Sequence, residues 1–161
     1  MKIHFLNLAL FSFLFISCER EGSGNCTETN ISTANRSSHN RGEDCTKCHS
    51  SGNDGNGCFS ICGSAFKSDK ITPIQNAVMV LYSKDENGNI TDASKAIPID
   101  KSGNFYTTED ISFAGKYPAI ISNGDTSIMG GALTLTGTAA CNSCHSKKSL
   151  QEPKLPIYSQ Y

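Results

Sequence analysis

Two pairs of thiols, each followed directly by an imidazole, are the residues of this chain with the most chemistry to offer: Cys45-Thr-Lys-Cys48-His49 and Cys141-Asn-Ser-Cys144-His145. Thiols two residues apart can chelate a metal, cycle through a disulfide or add to an electrophile. Four thiolates on one zinc would leave both His without a task, and zinc-binding pairs usually stand closer in sequence. A thioredoxin-like pair expects a hydrophobic strand before it and a helix after it, whereas Arg41-Gly-Glu-Asp44 and Thr136-Gly-Thr-Ala-Ala140 precede these. Plain disulfides within each pair also leave the His unexplained. The chemistry that employs all three side chains is covalent haem attachment, in which both thiols add across the vinyl groups of one haem and the adjoining His is carried beneath the ring to the iron. Two copies imply two haems c. Cys45, Cys48, Cys141 and Cys144 are then the thioether residues, and His49 and His145 the proximal iron ligands.

An iron used for electron transfer wants a sixth ligand. Outside the leader and the two motifs the only His is His39, and the only Met residues are Met79 and Met129. His39-Asn-Arg-Gly42 ahead of the first motif resembles the diheme and multihaem cytochromes, in which His-Asn-x-Gly precedes an attachment site. The resemblance implies electron transfer as the function and His39 as a distal ligand. Met129 precedes Gly130-Gly131, where backbone can approach a flat porphyrin, and is the other candidate. Met79 sits within an alternating strand pattern and reads as core. Which ligand serves which iron stays open, and it matters because ligand type sets the potential.

These residues need elements to position them. The chain has 161 residues, of which 37% are hydrophobic and none is Trp, so it can bury one modest core. No segment has sustained helical spacing. Short apolar and β-branched runs predict strands at Phe59–Phe66, Ala77–Ser83, Lys95–Ile99, Asn104–Thr107, Tyr117–Ser122, Thr126–Met129 and Ala132–Thr136. Turn signals separate them at Glu86-Asn-Gly88-Asn, Lys101-Ser-Gly103-Asn and Asn123-Gly124. The expected fold is mainly β: a small antiparallel β-sandwich flanked by two haem-attachment loops. Gly63 in the first strand, the Pro73-Ile-Gln-Asn-Ala77 lead and the Asp100-Lys-Ser-Gly103-Asn-Phe105 turn are similar to the carboxypeptidase regulatory-like or transthyretin-like sandwich family. That resemblance implies a scaffold and no chemistry of its own.

The start of the chain speaks of export. Lys2 and the apolar run Phe5–Ile16, too short to span a bilayer, read as a signal peptide over residues 1–17. Leu-Phe-Ile-Ser-Cys18 resembles the lipobox of bacterial lipoproteins, which implies that Cys18 is acylated and anchors the chain to a membrane. Residues 18–41 carry one strong apolar residue, Ile31, and read as a disordered tether; residues 42–161 form the diheme domain. Cys26, Cys58 and Cys62 remain, an odd number that permits one disulfide, with Cys58 and Cys62 too far apart along an extended strand to join each other.

A formal charge of −1 and the lack of any long basic run speak against nucleic acid as a partner. The expectation is an exported, anchored diheme cytochrome in the periplasm or on the cell surface, an electron carrier between redox proteins rather than an enzyme. The alternatives are a haem enzyme or sensor with one open iron site, and a binding module with ancillary haems. Labelled palmitate is expected to enter the protein through Cys18, and Cys18→Ser to release a soluble form; a mature protein that retains Met1–Ser17 would contradict the leader.

Overall fold

The computed structural model describes residues 26–134 and 137–145 and the backbone of 157–158. The leader, Cys18 and the tether before Cys26 lie outside them. The described chain is mainly β, in two sheets that share one core.

In the first sheet, β1 (Ile61–Phe66) is central. On one edge it pairs antiparallel with β5 (Asn104–Thr107), from Ile61 opposite Thr107 to Ser64 opposite Asn104. Two short parallel strands share the other edge: β8 (Ala139–Ala140) beside Ile61 and Cys62, and β9 (Ile157–Tyr158) beside Ala65 and Phe66. In the second sheet, β2 (Ala77–Lys84) lies between β6 (Tyr117–Ser122) on one side and β3 (Ile90–Ala93) and β4 (Ile97–Pro98) on the other, and β7 (Asp125–Ile128) closes the edge beyond β6.

Turn chemistry explains much of this order. Asn123 and Gly124, both at positive φ, form the two-residue link of the β6–β7 hairpin, the backbone geometry that a right-twisted pair prefers. The Asp100 carboxylate accepts from the amides of Ser102 and Asn104, which shapes the turn into β5. Gly103 in that turn has φ +82, and a Cβ there would meet Pro73 Cβ at 2.7 Å.

Ile61, Ala65 and Phe105 from the first sheet meet Met79, Leu81 and Ile120 from the second in the core. Met79 is 1% exposed, as its place in an alternating strand implied.

The structure departs from the sequence reading in four places. Residues 132–134 are not a strand, and 135–136 lie outside the described residues, so the strand expected at Ala132–Thr136 is absent from the part that can be seen. The expected Lys95–Ile99 strand contracts to Ile97–Pro98, since Pro98 has no amide to extend the ladder. β3, β8 and β9 were not expected: β3 is exposed throughout and lacks a buried face, and the other two are too short to show a period.

The fourth departure concerns the tether, which had been expected to run to Arg41. From Cys26 onward the segment lies on the sandwich. Ile31 bridges to Thr107 and packs on the core, and Ser32 is fully buried, with its amide donating to Tyr106 O and its hydroxyl to Pro98 O. Ser38 donates to the Asp100 carboxylate. Composition counts apolar surface and so misses a segment held mostly by hydrogen bonds.

The Cys26–Cys58 disulfide pins the start of this segment. It closes a separation of 32 residues, and opening such a loop costs about 3–4 kcal/mol in the chain-entropy account. The double variant Cys26→Ser, Cys58→Ser is therefore expected to lose that amount of unfolding free energy, read as a lower urea midpoint under non-reducing conditions. An unchanged midpoint would show that the link adds nothing to the fold.

Candidate functional site

Each Cys-x-x-Cys-His motif closes a single helical turn. In the first, Asp44 caps a 3₁₀ turn over Cys45–Lys47 by accepting from the Thr46 amide, and the amide of His49 donates to Cys45 O at 2.9 Å. In the second, α1 (Cys141–Cys144) follows β8 directly, and the amide of His145 donates to Cys141 O, also at 2.9 Å. A bond between residues four apart places the two thiols and the imidazole on one side of the turn. In both copies the leading Cys is half-buried and the trailing Cys exposed.

The loop after the first motif is wrapped around His49. Gly55 donates to Cys48 O at 2.8 Å, and Phe59 donates to His49 O at 3.0 Å. A Cβ on Gly55 would stand 2.6 Å from Cys48 O and 2.8 Å from His49 Nδ1, so only glycine permits this approach. His49 Nδ1 lies 2.9 Å from Asn56 O. A carbonyl can only accept, so Nδ1 carries the proton and the neutral ring keeps its lone pair on Nε2. One face of the imidazole stacks on buried Phe59, centroids 4.1 Å apart, and Phe59 stacks in turn on Tyr106 at 4.7 Å.

His39 is brought to this site. Its ring centroid lies 5.9 Å from that of His49, and the backbone around it is turned by positive φ at Asn40 and Gly42. Met129 is placed elsewhere: it follows β7 on the second sheet, half-buried, with its amide donating to Pro118 O. Both motifs belong to the first sheet. Met79, as core, joins neither.

The two motifs meet on β1. Ile61 and Ala65 face the core, so alternation turns Cys62 and Ser64 to the opposite face. That face is covered by the first motif's entry and by α1, which is why all six residues of β1 are buried. Gly63 is the contact point on the core side, where a Cβ would meet the Phe105 ring at 2.6 Å and Cys141 Cβ at 2.8 Å.

Several of these residues gave no signal in sequence. Cys62 is 1% exposed and outside the disulfide. Its thiol is in hydrogen-bond contact with that of Cys45, which holds the Cys45 pKa below the ordinary thiol value and drives that of Cys62 well above it, with burial adding to the latter. Burial pushes Cys141 up to about 12, with the charge of Cys45 adding to it. Ser64, Asn104 and Asn142 form a buried polar cluster between the motifs. Only the register of β1 against its neighbours could have found them.

Comparison with protein-family models, with curated proteins and with solved structures finds no match for this chain.

The thiolate is the nucleophile in alkylation, so a lowered pKa keeps a thiol reactive to lower pH and a raised one withholds reactivity to higher pH. In the chain with its motif thiols free, iodoacetamide labelling with peptide mapping is expected to reach half its limiting rate at Cys45 below the ordinary thiol value of about 8.5. Cys62 and Cys141 are expected to stay unlabelled through that range. Equal profiles at all three would contradict the pairing of Cys45 with Cys62.

Proposed function

We propose that this protein is an exported, membrane-anchored diheme c-type cytochrome that passes electrons between redox partners. The observation that carries the reading is the duplicated motif: two Cys-x-x-Cys-His sequences, each folded as one turn that gathers its thiols and imidazole on one side, meeting on a single strand. Cys45 with Cys48, and Cys141 with Cys144, would hold the two haems, and His49 and His145 would bind the irons. The residues around His49 fit that task. A proton fixed on Nδ1 by Asn56 O leaves Nε2 as the donor atom, the tautomer that second-shell partners impose on metal-binding His. The haem supplies one-electron chemistry when bound; the chain supplies attachment, ligands and a dielectric environment. His39, beside His49, is the distal candidate for the first centre.

A second reading attaches to the other centre. Met129 stands on the opposite sheet from His145, and an iron at His145 that kept its sixth position open would suit a haem enzyme or a sensor of peroxide or a small gas.

A pyridine-haem assay with intact mass, on protein made with a haem-attachment system, is expected to count two haems per chain. The variant Cys45→Ala, Cys48→Ala should halve that count. Carbon monoxide should leave the reduced spectrum unchanged if both irons are closed, change half of it if the second is open, and act on the first only after His39→Ala. Zinc or full-occupancy disulfides at the motifs would end the reading.

A further inference from the structure

We infer that Asn142 is the residue that locks the two haem-attachment motifs into one unit. The inference rests on the diheme reading and specifies how its two centres are joined. Asn142 is the residue after Cys141, a place in the motif on which attachment itself makes no demand. Here it is 2% exposed, and all its amide groups are engaged away from its own turn. Oδ1 accepts from the Ser64 amide at 3.0 Å, and Nδ2 donates to Ser64 Oγ at 3.0 Å and to Glu43 O at 2.9 Å.

The bonds to Ser64 fill a gap. β8 pairs with β1 at Ile61 and Cys62, and β9 at Ala65 and Phe66, so the Ser64 amide lies between the two short strands. The Asn142 side chain takes the place of a strand there. The bond to Glu43 crosses from one motif to the other, because Glu43 stands two residues before Cys45.

The tie continues beyond Ser64. Ser64 Oγ also accepts from the Gly42 amide at 2.9 Å and donates to Asn104 Oδ1, and Asn104 Nδ2 donates to Ser38 Oγ and to His39 O. One chain of hydrogen bonds, buried at Ser64, Asn104 and Asn142, therefore runs from the second motif to the entry of the first and on to the backbone of its distal candidate. Two haems carried on turns so tied would keep a fixed separation, and the charge on one would act on the other through a low-dielectric interior. Asn142 is on this account a positioning residue for the haem pair.

The test uses the holoprotein, with Asn142→Asp beside Asn142→Ala. Aspartate still accepts from the Ser64 amide but offers a carboxylate oxygen where both Glu43 O and Ser64 Oγ need a donor, so it breaks the cross-motif bond and one of the two bonds to Ser64 while keeping the other. In the oxidised wild type, the electron paramagnetic resonance of each centre should be broadened by the other, relative to the one-haem variants Cys45→Ala, Cys48→Ala and Cys141→Ala, Cys144→Ala. Its potentiometric titration should differ from the sum of theirs. In Asn142→Asp the haem count should stay at two while both signatures move toward that sum.

A readout free of haem accompanies this. In the haem-free chain, amide hydrogen exchange at Ser64 should quicken roughly tenfold in Asn142→Ala, as expected when a buried amide loses its acceptor. Two haems whose spectra and potentials are the same in both variants as in the wild type would overturn the inference. So would a wild type whose centres already behave as the sum of the one-haem variants. A wild type without haem fails at the haem count, and there the underlying reading falls first.

Discussion

β1 is buried along all six of its residues, and a strand covered on both faces must find partners for both edges and for both sets of side chains. Its core-facing set is small: Ile61, Gly63 and Ala65 leave room for the Phe105 ring and for Cys141. Its outward set, Cys62 and Ser64, would meet water in a bare sandwich. Here the two motif-bearing segments cover it instead. The chain leaves the first motif into β1 and returns along β1 into the second, so the placement of both sites follows from this one strand.

Covering an outward face with loops brings polar backbone into the interior, and each such group must be bonded or carry a desolvation cost of about 1–3 kcal/mol. The cluster of Ser64, Asn104 and Asn142 answers that need. It engages amides and carbonyls from the first motif's entry and from β1 itself, and no buried side-chain nitrogen or oxygen among the described residues lacks a partner. Cys62 adds a second kind of contact on the same face, between its thiol and that of Cys45. The local dielectric is low, which strengthens these bonds and makes any single missing partner costly.

Under the proposed reading, the division of labour between the sheets is plain. The second sheet supplies bulk to the core through Met79, Leu81 and Ile120, while the first carries both motifs and the His39 loop. The aromatic stack of His49, Phe59 and Tyr106 holds the imidazole plane, and Asn56 sets its tautomer. Orientation of the ligand is thus achieved by the sheet and its connecting loop, before any cofactor contributes.

The types and spacing of Cys45, Cys48, His49, Cys141, Cys144 and His145 were legible in the sequence, because their proposed chemistry depends on neighbours a few residues apart. So were β2, β5, β6 and β7 and the Asn123-Gly124 turn, since side-chain period and positive-φ preference are local properties. What spans long separations was not. The pairing of Cys26 with Cys58, the ordering of residues 26–41, the two short strands beside β1 and the bond from Asn142 to Glu43 join segments that no local pattern relates. Asn142 reads in sequence as one polar residue among many. Only the register that leaves the Ser64 amide between two short strands gives it a role, because a hydrogen bond is decided by where its partners stand in space.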